Sequence, residues 1–262
     1  MSDLVNNARV MLEQGKLTVG VNLRQARTPD IARILRDSGF HWMFIDHEHS
    51  SLSIETSSQI ALAGIETGIA PIVRASGHSQ EEICRYLTNG ALGIIAPHVD
   101  TPEQAAKVAA HCRFWPRGDR TVPPSFPHLG YKKIRNSEAA VVLNREALVV
   151  VMLETATAIE NADAIAAVEG VDVLFIGSSD LSFNLGIPGQ YSHPKISAAM
   201  DAVIAACRKH GKHPGLGGVA DDDVMADYVK RGMRFVLAGN DLQFLVAGAS
   251  RRAQFFADIP LG

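Results

Sequence analysis

Short apolar runs, each closed by polar or turn-forming residues, alternate along the chain with longer segments of helical spacing. They predict strands at 17–23 (LTVGVNL), 42–46 (WMFID), 70–74 (APIVR) and 92–97 (LGIIAP), then at 148–154 (LVVVMLE), 171–177 (VDVLFIG), 212–218 (KHPGLGG) and 234–239 (RFVLAG). Most are β-branched and apolar at successive positions, without alternation. That pattern belongs to parallel strands covered on both faces.

Helix boundaries fall between these runs. Ser79-Gln80-Glu81-Glu82 and Thr157-Ala158-Ile159-Glu160 fit the capping box, in which hydroxyl and carboxylate satisfy each other's orphan N–H groups. Thr101-Pro102-Glu103-Gln104 adds proline at the first helical position. Gly170, Gly211 and Gly232 each follow a helical run, where a positive φ costs glycine little. Eight consecutive strand–helix units predict an α/β fold, a (β/α)8 barrel forming a single domain over 1–262. An open doubly wound sheet is the alternative, but its G-x-G-x-x-G turn is missing, since "GLGG" at 215–218 lacks the continuation. One connection breaks the pattern. Residues 113–136 (RFWPRGDRTVPPSFPHLGYKKIRN) are rich in proline and basic side chains. A loop of this length in a compact domain is usually functional or disordered, and it is expected to fold over a face of the barrel or to meet a neighbouring subunit.

Composition acts mainly by exclusion. Of 262 residues 47% are hydrophobic, ample for one large core, and the formal net charge of −3 leaves no basic stripe for nucleic acid. The opening MSDLVNNARVMLEQGK has no basic region leading into an apolar one, so no signal peptide is expected, and no apolar run approaches membrane-spanning length. Cys84, Cys112 and Cys207 are odd in number and far apart, which reads as buried free thiols of a cytoplasmic protein. A catalytic thiol is the alternative.

In a (β/α)8 barrel, chemistry gathers at the C-terminal ends of the strands. Those ends carry Asp46, Glu48 and His49, then Arg74, His98, Glu154, and Ser178-Ser179-Asp180. Glu154 closes a run of apolar residues, where an unpaired carboxylate is costly to desolvate. Asp180 follows the next strand, so the two carboxylates are expected side by side at the mouth. Two anions brought together need a proton or a cation between them. A divalent ion such as Mg2+ or Mn2+, held by few carboxylates with positions left for water or substrate, is one solution; pairing with arginines is the other. Arg74 would point its guanidinium at whatever occupies the mouth, which suits an enolate or carboxylate. A salt bridge to Glu154 or Asp46 is its structural alternative. His49 near Asp46 is a plausible general base with an orienting partner, though either group alone is more often structural. His47 is expected to face packing or solvent, and His98 to have no direct role.

Together these residues resemble the HpcH/HpaI aldolase family of metal-dependent pyruvate aldolases. The similarity lies in "FIDHEHSSLSIE", "PIVR" and "VMLETATAIENADAIAAVEGVDVLFIGSSDLSFNLG", and extends from about Gly20 to Asn240. It implies Glu154 and Asp180 as ligands of a divalent metal (Mg2+, Mn2+ or Co2+), His49 supported by Asp46 as acid/base, and Arg74 on the enolate oxygen. It further implies backbone N–H groups of Ser179 and Asp180 on the pyruvate carboxylate. A homo-hexamer is implied as well, built from dimers that exchange a C-terminal helix, here about 241–256.

Four departures bear on specificity. The family's proline in the metal loop is replaced by Ser178-Ser179, and its P-x-G-x-R-G stretch is "PRGDRTV". Gly217 stands where a bulky residue often lines the aldehyde site, and an expected acidic residue is Thr88 or Asn89. The implied reaction cleaves a 4-hydroxy-2-oxo acid to pyruvate and an aldehyde through an enolate. A Schiff-base route lacks a lysine, since Lys212 stands at the entry to its strand. A CoA-ester lyase would need a phosphate site beyond Arg113, Arg117 and Arg120. An enolate-forming decarboxylase, a silent carboxylate-binding homologue and phosphate binding at "GLGG" and "LAGND" are the remaining alternatives.

Overall fold

A computed structural model describes residues 4–260, so the one-domain expectation for 1–262 reaches past the described residues at both ends. The eight predicted strands are all present: β1 (Thr18–Leu23), β2 (Trp42–Asp46), β3 (Ala70–Arg74), β4 (Gly93–Ala96), β5 (Leu148–Leu153), β6 (Val173–Gly177), β7 (His213–Gly217) and β8 (Phe235–Asn240). They pair in sequence order, all parallel, and β8 closes onto β1 through Thr18↔Phe235 and Val19↔Val236. The result is a closed (β/α)8 barrel. The β1–β8 register shifts between Gly20 and Asn22.

The helices of the first half are α1 (Asn7–Glu13), α2 (Asp30–Asp37), α3 (Ile54–Thr67), α4 (Gln80–Thr88), α5 (Pro102–His111) and α6 (Asn136–Glu146). Those of the second half are α7 (Ala156–Glu160), α8 (Ala162–Ala166), α9 (Ser178–Asn184), α10 (Pro194–His210), α11 (Asp222–Arg231) and α12 (Asp241–Ala257).

The unbroken apolar runs are explained by which core each residue enters. On β2, Trp42 and Phe44 join the cluster inside the barrel, while Met43 and Ile45 join the layer under the helices. On β5, Leu148, Val150 and Met152 point inward and Val149, Val151 and Leu153 outward. Ala8 and Leu12 of α1 belong to the inner cluster and plug the end where the strands start. Gly20 is required there, because a Cβ would lie 2.2 Å from the Trp42 indole, which itself stacks on Phe235 at 3.9 Å.

The helix starts differ from expectation in two places. Thr101 and Gln104 form the full capping box of α5. At α4, Ser79 accepts from the Glu82 N–H, but the Glu82 carboxylate turns instead to the N–H and hydroxyl of Ser76, at 2.9 and 2.7 Å. Thr155, not Thr157, caps α7 by accepting from the Ala158 N–H at 3.0 Å. The chain turns into helix immediately after Glu154, so the nearer threonine reaches the free amides first. Gly170, Gly211 and Gly232 all take positive φ, as expected.

The long connection at 113–136 folds over the barrel end opposite the mouth. Phe114, Phe126 and Leu129 pack with Leu4, Leu92 and Leu143, and His128 bonds the Ala91 carbonyl at 3.1 Å. Arg113 bonds Asp172 and buried Arg120 bonds the Leu87 carbonyl, so these two arginines serve packing. Lys212 is likewise committed to the Val168 and Val171 carbonyls.

Candidate active site

A cavity of about 190 Å³ opens at the C-terminal ends of the strands. It is lined by His49, Arg74, Glu154, Ser179, Asp180 and Gly217, all singled out from sequence, and by Asn22, Phe44, Met152, Phe175, Ser178, Gly218 and Leu237. Asp46 is fully buried beside it and does not line it.

Asp46 and Arg74 are register partners at the ends of β2 and β3. Arg74 donates to both Asp46 oxygens, Nε to Oδ1 at 3.0 Å and Nη2 to Oδ2 at 2.7 Å, while its Nη1 lies 2.8 Å from Glu48 Oε2. The same Asp46 Oδ1 accepts the backbone N–H groups of Glu48 and His49, both at 3.1 Å. Burial alone would raise the Asp46 pKa; the Arg74 guanidinium outweighs it and, with the His49 N–H, holds the carboxyl below its usual range. The expected orientation of the His49 ring by Asp46 is therefore replaced by something different. Asp46 fixes the His49 backbone, and the ionic neighbour of the ring is Glu48, 3.7 Å away. The His49 side chain is 56% exposed and free to meet a ligand. His47 points away from the mouth as expected, bonding Ser57 at 2.7 Å and packing on Tyr86.

Glu154 is 2% exposed. Its Oε2 accepts the His98 backbone N–H at 3.0 Å and lies 3.0 Å from His98 Nδ1, while His98 Nε2 lies 3.0 Å from Glu48 Oε1. His98 has φ +52, a conformation non-glycine residues seldom adopt, and these contacts hold it there. Burial pushes the Glu154 pKa up, and the charges of Asp180 and Glu48 add to the shift. Glu154 Oε1 rests against bare Gly177, where a Cβ would lie only 2.6 Å away. An elevated carboxyl beside a second carboxylate, seated in a space that a methyl would fill, suits a small cation. Among the described residues no set of three or more His, Cys, Asp or Glu side chains gathers as a metal cage. A cation here would thus have two protein carboxylates, Glu154 and Asp180, and several positions for water or substrate, which suits hard divalent ions.

No side chain caps α9, so its first-turn amides at Ser179 and Asp180 lack intrahelical acceptors beside the cavity. Gly217 lines the wall, and the Phe175 ring fills the place its Cβ would take, 2.6 Å from the ring edge. Sequence reasoning gave Glu48 and His98 no role, yet they bridge the Arg74 and Glu154 ends of the site. Ionisable residues just past the ends of β2 and β4, on either side of Arg74 at the end of β3, were the available signal. Cys84, Cys112 and Cys207 are buried, free and away from the cavity, with Cys112 and Cys207 pushed up to about 12 by burial.

The chain matches the HpcH/HpaI aldolase/citrate lyase family over residues 24–247. It belongs to that family. A 4-hydroxy-4-methyl-2-oxoglutarate aldolase of Hapsidospora irregularis is 39% identical over 251 residues, covering 94% of this chain and 93% of the relative. One of Chaetomium globosum is 36% identical over 262 residues, covering 97% and 96%. The crystal structure of an HpcH/HpaI aldolase from Desulfitobacterium hafniense matches with a TM-score of 0.90 at 28% identity, covering 96% of this chain and 97% of that one. The HpcH/HpaI resemblance and the barrel read from sequence both stand. Among the described residues no helix is long and apolar enough to cross a membrane.

Proposed function

We propose that this HpcH/HpaI protein is a pyruvate aldolase that cleaves the C3–C4 bond of a 4-hydroxy-2-oxo acid, giving pyruvate and a second carbonyl compound. The observation that carries the proposal is the meeting of His49, Arg74, Glu154, Asp180 and the free amides of α9 around one cavity. A divalent cation (Mg2+, Mn2+ or Co2+) held by Glu154 and Asp180 would supply Lewis acidity at the 2-oxo group. The amides of Ser179 and Asp180 hold the C1 carboxylate. His49 takes the C4 hydroxyl proton, C3–C4 breaks, and the electron pair passes to C3 as pyruvate enolate. Asp46 aims His49 through its backbone and Arg74 through a two-pronged ion pair. Glu48 holds the other side of the guanidinium, which lines the cavity and would offer its remaining N–H groups to the enolate oxygen.

Assembly is part of the proposal. No residue of α12 is buried, and Leu245, Val246, Phe255 and Phe256 are each more than half exposed. A homo-hexamer of dimers that exchange α12 would cover this face. The three free thiols favour a cytoplasmic setting.

The test is a pyruvate-release screen over 4-hydroxy-2-oxo acids, with chelator or with added Mg2+, Mn2+ or Co2+, alongside solvent exchange of pyruvate α-protons. Cation-dependent release and exchange are expected. Full activity under chelation, with borohydride trapping a lysine adduct of pyruvate, would overturn the proposal.

A further inference from the structure

The loop between β1 and α2 carries two arginines that the reaction above leaves unused, and one of them, Arg24, touches cavity-lining His49. Arg24 comes two residues after cavity-lining Asn22, and its Nη2 donates to the backbone carbonyl of His49 at 3.0 Å. Arg27 donates to the Arg24 and Ala26 carbonyls, both at 3.0 Å, and to Ser51 Oγ at 3.1 Å. Both are exposed, and their described partners are neutral oxygens. Arg74, by contrast, is committed to Asp46 and Glu48.

The loop is also fixed. Asp241, the first residue of α12, accepts the backbone N–H groups of Arg24, Gln25 and Ala26 at 3.0, 2.9 and 2.7 Å. Its charge is thereby spent on amides, and the arginine side chains keep theirs for something else.

The geometry of the proposed reaction says what that is. With C1 at the α9 amides and the C4 hydroxyl at His49, the other groups on C4 lie on the His49 side, where Arg24 stands. We propose that Arg24, backed by Arg27, binds a carboxylate attached to C4. The preferred substrates are then 4-hydroxy-2-oxo diacids. Cleavage sends the C3–C4 electron pair to C3 and the C4 hydroxyl proton to His49, and C4 leaves as the carbonyl of a second 2-oxo acid. This assignment rests on the aldolase proposal. The compound named for the two relatives above carries such a group.

The experiment compares kcat/KM for 4-hydroxy-4-methyl-2-oxoglutarate and for 4-hydroxy-2-oxovalerate, which has no carboxylate on C4, at saturating Mn2+. Wild type, Arg24→Gln, Arg24→Lys and Arg27→Gln are measured. Loss of a charge-assisted contact in Arg24→Gln should lower the diacid-to-monoacid ratio roughly 10- to 100-fold. Arg24→Lys should recover part of it, and Arg27→Gln should lower it less. Equal losses on both substrates in Arg24→Gln, or a wild type that prefers the monoacid, would overturn the role of Arg24 while leaving the aldolase intact. A wild type that cleaves neither and exchanges no pyruvate protons overturns both.

Discussion

Gly177→Ala tests whether the position of Glu154, and not merely its charge, makes the cation site. The backbone at Gly177 has φ −83, so alanine meets no positive-φ penalty there. The added Cβ would lie 2.6 Å from Glu154 Oε1 and 2.8 Å from its Cγ, against about 3.4 Å for ordinary contact. The carboxylate must therefore retreat by about 0.8 Å. Metal–oxygen distances in working sites hold to within about 0.2 Å, so a retreat of that size cannot be absorbed. Relief by a side-chain swing spares the backbone, and the stability loss should not exceed the usual overpacking range of about 1–3 kcal/mol. Cation affinity should fall about 10- to 100-fold, as when a ligand loses its support. Calorimetric titration with Mn2+ on folded protein measures the first quantity, and thermal unfolding the second. A folded Gly177→Ala protein with wild-type Mn2+ affinity would refute the assignment of Glu154 to the cation.

His49→Ala should cost on the order of 10²–10⁴ in cleavage, the scale of a lost general base, with Mn2+ affinity little changed. His47→Ala should spare turnover but lower the melting temperature, because it removes the Ser57 bond and the contact with Tyr86; the reverse ranking in turnover would show that the base is the other histidine. His128 has its pKa pushed down to about 4, by burial first and then by the charge of Arg120. Between pH 6.5 and about 4 the unfolded chain binds a proton that the folded one refuses, so stability falls as pH drops through that window. The full effect is roughly 3 kcal/mol, and denaturation midpoints of His128→Gln should depend less on pH over the same range. Leu245→Asp with Phe256→Asp places charges on the exposed face of α12, and sedimentation should then show species smaller than the wild-type assembly.

The barrel was legible because its strands are buried on two sides, which writes them as continuous apolar runs that helices cannot imitate at that length. The meeting of Arg74, Glu154 and Asp180 in one cavity was legible because the fold carries strand ends to one place, without any side-chain angle being known. Partnerships were less legible. Asp46 sits three residues from His49 in sequence, but parallel register sets it opposite Arg74, and a guanidinium outcompetes an exposed imidazole for a buried carboxylate. His98 depends on an unusual backbone angle, for which its sequence carries no mark. The start of α7 was misplaced by two residues because only Thr157 fits the capping-box sequence, whereas the end of β5 starts the helix at Thr155, which caps with its hydroxyl alone.

The grip of Asp241 on the loop after β1 joins two parts of the chain that are made far apart in time. Arg24 and Asp241 are 217 positions apart, and β1 must also wait for β8 before its second edge is paired. At roughly 5–20 residues per second of synthesis, that wait is on the order of 10–40 s. During it the nascent chain exposes an open strand edge, the kind of surface that invites pairing with other chains. A polypeptide cut short anywhere before residue 241 lacks the clamp, so the loop carrying Arg24 is fixed only once Asp241 has been made.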